Sequence, residues 1–576
     1  MRPVRLLRRQ GIARGLIASS VALLLLVALA CGPSESTTPA TTANKTPTPV
    51  PSPTVAVIAT PTPTANALVV PTVPIPDGKH GGVLKKLAGK GTRGLDPVWF
   101  TAPSDFSGWV WPVYNALVER LAPPNQDEIG PALATGWRLE SGGKTVVFDL
   151  RQDVYFQDGT PFTADDVKYT IDAHFNPKPG NVSILASTMT WLGGVRVLDK
   201  HTVAFDLKAP LAPVLLEFLS GVLIAPAKQH AAEGPFTTKA NGTGPFKLVE
   251  YVTAQRMRLE RNPDYWRKGT PFLDGIEITV VGDKTSAQAA FEAGTVHIPA
   301  DKLTVLDAKR LGQDQRFTVQ KVARLAVFPL HFNLRSKDSP WADKRVRQAV
   351  SAAINRNDFV GVARRGEGFV SGPYPSTFFG GQYALPEAEL KQYPGYEDDS
   401  AKGMARAKQL LADAGYASGF KVKMLNYESY PDHGVFVKNV LAPLGIDVSI
   451  TTTSGGAAAD AGMSGQFDWI LYWSGANLQD PSDIMGSYTS DASANYSGWA
   501  NSEYDSLNAK EVVAQSANRV ELVRQMQRII LDETPRIILS QPAEYNAWSS
   551  KVKNFYRDPT AHYNSVYGYR YVWLDQ

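Results

Sequence analysis

The sequence predicts an α/β protein, and three observations predict it. Segments with strand-like alternation and segments with helical periodicity follow one another to the C-terminal end. One helical segment carries an N-cap and a capping-box residue at its start, and another a glycine at its end. Beyond about Gly81 no internal repeat and no second low-complexity linker interrupts the pattern. Residues 144–150 (KTVVFDL) alternate as a half-buried strand. Thr163 then opens a helix as its N-cap, with Asp166 in the capping-box place and Val167, Tyr169, Thr170 and Ile171 along it. A second helix is expected over 343–355, on the surface, with Val346, Ala349, Val350 and Ala353 on one face. A third, 401–414, stops at Gly415, where glycine supplies the left-handed conformation that ends many helices. Helices over 502–515 and 520–532 and strands over 276–281, 420–425, 447–451, 469–472 and 537–540 complete the series.

The chain has 576 residues, enough for two or three domains. Its formal charge of +4 misleads: the first thirty residues hold five Arg and no acid, and removing them leaves 54 basic side chains against 55 acidic ones. A nearly neutral body argues against nucleic-acid binding, which normally needs a basic face. Arg2 to Arg14 precede an apolar run over 16–30, too short for a membrane span of roughly 20 residues but right for a signal peptide. The run ends at Ala28, Leu29, Ala30 and Cys31, the sole cysteine of the chain, which therefore has no disulfide partner within it. This end resembles the lipobox of bacterial lipoproteins, with Ala28 where that motif usually has Leu. The expectation is cleavage before Cys31 and its lipidation; the alternative is an uncleaved single-span anchor. The pair Arg8 and Arg9 is a weak hint of twin-arginine export. Residues 32–77 are rich in Pro, Thr and Ser and form a partly extended tether to the membrane.

A series of motifs runs through the body. It comprises PALATGW at 131–137, FDLR at 148–151 and FQDGTPFTADDV at 156–167. It continues with GGVL at 81–84, Leu95 to Pro97, GTGPF at 242–246 with RNPDYW at 261–266, DKRVRQA at 343–349 with AINR at 353–356, and AKQLL at 407–411 with AGY at 414–416. Gly419 with Phe420, Phe467 with Asp468, Asp480 with Pro481, and NYSG at 495–498 close it. Taken in chain order, the motifs resemble those of the family 5 extracellular solute-binding proteins, the oligopeptide-, dipeptide- and nickel-binding receptors of ABC importers. Each also has a plain structural reading, which carries most of the weight. Asp158 to Pro161 is a turn before a capped helix. Gly242 and Gly244 permit a tight approach at a strand start and are no phosphate loop, since no helix with Lys-Ser/Thr follows.

The resemblance implies a two-lobed fold with an extra small domain in lobe one and hinge closure around the ligand. The N-terminal pattern gives residues 1–30 as the expected signal peptide and 31–79 as the lipidated cysteine and tether; the resemblance divides the rest. Lobe one takes 80–110, 225–325 and 540–576, its extra subdomain 111–224, and lobe two 326–539. It implies a non-catalytic, monomeric receptor with ABC permease subunits as partners, no cofactor, and a place outside the cytoplasm.

Peptide-binding members of the family pair the ligand's α-amino group with an Asp in a Trp-x-x-Asp pattern. Here Trp473 is present, but Ala476 stands in the place of that Asp, and Asp480 serves the turn before Pro481. An oligosaccharide or other neutral solute is the alternative ligand, flanked by aromatic rings. The candidate ligand contacts are Trp473, Tyr472, Trp99, Phe100, Asn477 and Tyr427, with Tyr430 a further, weaker one; each aromatic has a competing reading as core. The eight His are scattered without paired spacing, so no metal site is expected. A hydrolase is the competing class, but no Gly-x-Ser-x-Gly or His-Glu-x-x-His occurs, and Ser550 with Lys553 lacks companion motifs. A receptor that signals to a membrane sensor is a third reading.

Overall fold

The computed structural model describes residues 73–92, 94–99, 108–121, 128–175, 191–210, 212–476, 480–514, 516–556 and 569–576. The expected signal peptide, Cys31 and most of the tether lie outside them, as do Phe100 and Asn477.

Three sheets organise the body. The first has the order Val83–Ala88, Gly275–Val280, Arg256–Arg261, Phe246–Val252; its first pair is parallel and the others antiparallel. The second is an antiparallel sheet of Ala134–Glu140, Thr145–Leu150, Thr202–Leu207 and Leu192–Asp199. The third and largest runs Phe317–Ala323, Arg536–Ser549, Ala326–Phe332, Trp469–Leu471, Lys421–Tyr427, Asp447–Thr453. Its first three pairings are antiparallel and its last two parallel.

Local chemistry explains the element starts. Asp166 accepts the backbone N–H of Thr163 at 2.8 Å, so the carboxylate half of the capping box forms at the start of Ala164–Phe175. Its other oxygen accepts from Ala227 at 2.8 Å and ties that helix to the next segment. Asp343 caps Lys344–Ala353 through the Arg345 N–H, and Asp399 caps Ser400–Asp413. Gly415, at φ +84°, follows the latter helix as expected. Phe246–Val252 starts where Gly244 donates to the Val113 carbonyl at 2.8 Å; a Cβ on Gly244 would lie 2.4 Å from that carbonyl carbon.

Four expectations need correction. The helix over Lys344–Ala353 is not a surface helix: Val346 through Ala353 includes seven buried residues, and the guanidinium of buried Arg347 donates to the carbonyls of Trp341, Ala342, Glu533 and Thr534. The helix expected to reach 515 stops at Glu511, and the next starts early, at Ser516. The reversal lets buried Glu511 meet Arg519 at 2.8 Å. The strand expected over 537–540 extends from Arg536 to Ser549 because it finds a second partner beyond Ser540.

That long strand joins two cores. Ile537 and Leu539 pack in a core built from residues between Leu325 and Leu539. Trp548 packs in a core built from residues between Leu84 and Ile298, together with Val552, Tyr569, Val572 and Leu574. The strand pairs with Ala326–Phe332 at one end and with Phe317–Ala323 at the other, from Phe317 opposite Ser549 to Ala323 opposite Ala543. Two neighbouring strands, hydrogen-bonded to each other, thus carry the chain between the cores. A small cluster of Phe291, Leu303, Ala308, Leu311, Phe317 and Ala547 covers them.

Candidate functional site

The strand Ala326–Phe332 is buried along its whole length. At its crossing end Ser474 and Gly475 pair with Val327 and Ala326, and the Ala476 N–H donates to the Leu325 carbonyl at 3.0 Å. This pins residues 474–476 beside the crossings. The Trp473 ring folds over Gly475, where a Cβ would lie 2.6 Å from the indole. Tyr472 meets Trp473 at 6.3 Å between ring centroids and Tyr427 at 5.4 Å, both edge-on. Tyr427 meets Tyr430 at 5.7 Å, and Tyr472 stacks on Tyr496 at 6.4 Å. All five rings are half-buried, so each keeps surface outside the core.

Three of the sequence candidates, Trp473, Tyr472 and Tyr427, therefore share one aromatic wall, with Tyr430 beside them. Tyr496 was not singled out, although it sits in the NYSG motif at 495–498. Its signal was weak because one aromatic in a turn motif is ordinary in a chain with 22 Tyr.

Trp99 belongs to the other core's side. Asp96, almost fully buried, accepts N–H groups from Val98, Trp99 and Phe236 at 2.7–2.8 Å. It also holds His230 Nε2 at 2.9 Å, and His230 Nδ1 meets the Tyr169 hydroxyl at 2.9 Å. Burial pushes the Asp96 carboxyl up, but His230 and these N–H donors outweigh it and hold the pKa below the ordinary carboxylate value. The Trp99 ring lies 4.5 Å from the His230 ring and is fixed by this network. No ring contact among the described residues joins Trp99 to Trp473 or Tyr472.

A cavity of about 420 Å³ opens where the parallel pair Val83–Ala88 and Gly275–Val280 ends and the crossings begin. Residues 86–90, 298–302 and Asn546 with Ala547 of the long strand line it, with Trp109 and Phe555 as apolar walls. Its size falls in the range of about 300–1,000 Å³ usual for small-molecule sites.

Asp480 is committed elsewhere. It is 3% exposed, caps Pro481–Gly486 through the Ser482 N–H, and is gripped by Arg519. Ala476 offers no carboxylate. Among the described residues no three His, Cys, Asp or Glu side chains gather as metal ligands, and no helix is long and apolar enough to cross a membrane.

Comparison with known proteins places this architecture. Residues 128–496 match the model of the bacterial extracellular solute-binding proteins, family 5. The di/tripeptide-binding protein 2 of Pseudomonas aeruginosa is 26% identical over 502 residues, covering 81% of this chain and 91% of that protein. Heme-binding protein A of Haemophilus influenzae is 26% identical over 515 residues, covering 83% and 90%. The solved structure of HbpA2 from Haemophilus parasuis superposes with a TM-score of 0.75 at 23% identity, covering 86% of this chain and 100% of that one. Two cores joined by paired crossings and the ordered motif series have one common source: the chain belongs to the family 5 bacterial extracellular solute-binding proteins and has their two-lobed fold.

Proposed function

We propose that this chain captures a peptide or peptide-like solute outside the membrane and delivers it to the permease subunits of an ABC importer. It acts without catalysis, as a monomer, and is held to the membrane by lipid on Cys31 after removal of residues 1–30. Lobe one comprises 80–110, 225–325 and 540–576 with the subdomain 111–224, lobe two comprises 326–539, and 31–79 is the tether. The observation that carries the reading is the pair of crossing strands with the aromatic wall of Trp473, Tyr472 and Tyr427 and the 420 Å³ cavity beside them. Closure of two lobes about such a ribbon buries whatever lies at the crossings. Relatives named for di- and tripeptides support the ligand class. Trp99, Phe100 and Asn477 are the further proposed contacts.

A second ligand reading, an oligosaccharide or other neutral solute, draws on the same half-buried rings and on Ala476, which supplies no carboxylate where the peptide-binding pattern has one. Thermal unfolding of the purified protein against peptides and oligosaccharides separates the two. A ligand at a hundredfold excess over its Kd raises stability by about 2.7 kcal/mol. Shifts with peptides that vanish in Trp473→Ala support the proposal; shifts with sugars alone overturn the peptide reading.

A further inference from the structure

The cavity at the crossings is lined by Lys86, Lys90, Lys284 and Lys302 against a single acid, Asp301. Lys302 is paired with Glu544 at 3.3 Å. No carboxylate of the described residues lies within ion-pair distance of Lys86, Lys90 or Lys284. Lys90 and Lys284 are exposed, as ordinary solvated lysines are, but Lys86 is half-buried in the strand Val83–Ala88. Its Nζ donates to the Tyr569 hydroxyl at 3.0 Å and sits 5.7 Å from that ring's centroid. Gly108, also on the cavity wall, leaves room for it: a Cβ there would be 2.9 Å from Nζ. A partly desolvated ammonium with only a hydroxyl and a ring face for company still lacks a counter-charge.

We infer that this cavity takes an anionic group of the solute, so the receptor's ligand is acidic and carries a carboxylate that meets Lys86. The inference rests on the receptor function proposed above and narrows its ligand class. Lobe two adds no net negative charge: the pocket beside Ala476 is lined by Asp483 and Arg536 together. Lobe two has Ala476 in the place of an acid and keeps Asp480 bound to Arg519, while the cavity carries an excess of lysines. Closure brings a net positive lining around the ligand, where electrostatic attraction strengthens as water leaves. Trp109 and Phe555 add apolar walls for the rest of an acidic solute.

Four probes decide it by calorimetric titration of the purified full-length protein: N-acetyl-Ala-Glu and N-acetyl-Ala-Gln, both as C-terminal amides so that only the Glu side chain is charged, with glutarate and galacturonate. The Glu peptide is expected to bind at least tenfold more tightly than the Gln peptide, with affinity falling as salt rises. Lys86→Met is expected to erase that preference and Lys86→Arg to keep it. Equal affinity for the two peptides, or an equal loss for both in Lys86→Met, overturns the inference while the peptide reading stands. Lys86-dependent binding of glutarate or galacturonate alone supports the anion site and overturns the peptide reading instead. Failure of every acidic probe overturns the inference.

Discussion

Arg519 holds Asp480 with two nitrogens, at 2.9 and 2.5 Å, while its Nε holds Glu511 at 2.8 Å. All three are nearly inaccessible to water. The aspartate nearest to Trp473 in this loop is thus a structural strut that fixes the turn into Pro481–Gly486. Removing Asp480 leaves Arg519 with Glu511 alone as counter-charge, and breaking a buried ion pair costs about 3–5 kcal/mol. Asp480→Ala is expected to lower the unfolding midpoint strongly while the ligand preference of the surviving folded fraction stays unchanged. A changed ligand preference in a protein of undiminished stability contradicts this assignment.

Ala476 is the complementary position. Its backbone is pinned to Leu325, it is half-buried, and it follows Gly475, over which the Trp473 ring lies. Ala476→Asp is expected to raise affinity for dipeptides with a free amino terminus at least tenfold and to leave their N-acetylated forms unaffected. Competition binding with matched pairs checks it, and an identical change for both forms counts against it.

Trp473 lies over Gly475 at the end of the aromatic wall. Trp473→Ala is expected to weaken ligand binding at least tenfold with a small effect on stability, because the ring is only half-buried. Tyr427→Ala should weaken binding less, since Tyr430 and Tyr472 flank its ring at 5.7 and 5.4 Å. Titration by intrinsic fluorescence orders the two; the reverse order contradicts the prediction.

Acid stability has two opposed contributions. Burial lowers the pKa of His433 to about 3 and of His174 to about 4, against an ordinary 6.5. The unfolded chain therefore binds more protons below pH 6.5, and the stability these neutral rings contribute is lost as pH falls from there toward 3–4. Burial raises the Glu511 carboxyl to about 7, from 4.5. Its contribution is complete below pH 4.5 and is lost as pH rises through 7. Urea unfolding from pH 4 to 8 is expected to show a flatter acid limb in His433→Phe and a flatter neutral limb in Glu511→Gln. Unchanged slopes in either variant refute the corresponding half.

Gly244→Ala is expected to destabilise by about 1–3 kcal/mol through overpacking against the Val113 backbone. A thermal midpoint equal to the parent's contradicts the close approach.

Legibility in the sequence followed locality. Asp166 and Gly415 announced helix ends because caps act within a few residues. The far half of the long strand was hidden because its QPAEYNAWS stretch holds a proline and few β-branched residues. It is a strand because Phe317–Ala323, more than 200 residues away, lies beside it. In the site, Trp473, Tyr472 and Tyr427 were legible as aromatics at strand ends. Lys86 was not: it lies in a short VLKKLA strand, and its surroundings come from Gly108 and Tyr569, distant in the chain.

The position of Arg536–Ser549 also orders how the molecule assembles. In the largest sheet it lies between Phe317–Ala323 and Ala326–Phe332, yet it is made some 200 residues after them. Those two strands are separated by Arg324 and Leu325 alone and do not neighbour each other in the sheet; each waits for the same late arrival. A chain emerging N-terminus first thus keeps the wholly buried strand Ala326–Phe332 without one of its two main partners until nearly the whole protein is present. Such long-range closure is slow and leaves sticky surface open meanwhile. The same strand that joins the two cores in the finished protein makes their completion a nearly final event of assembly.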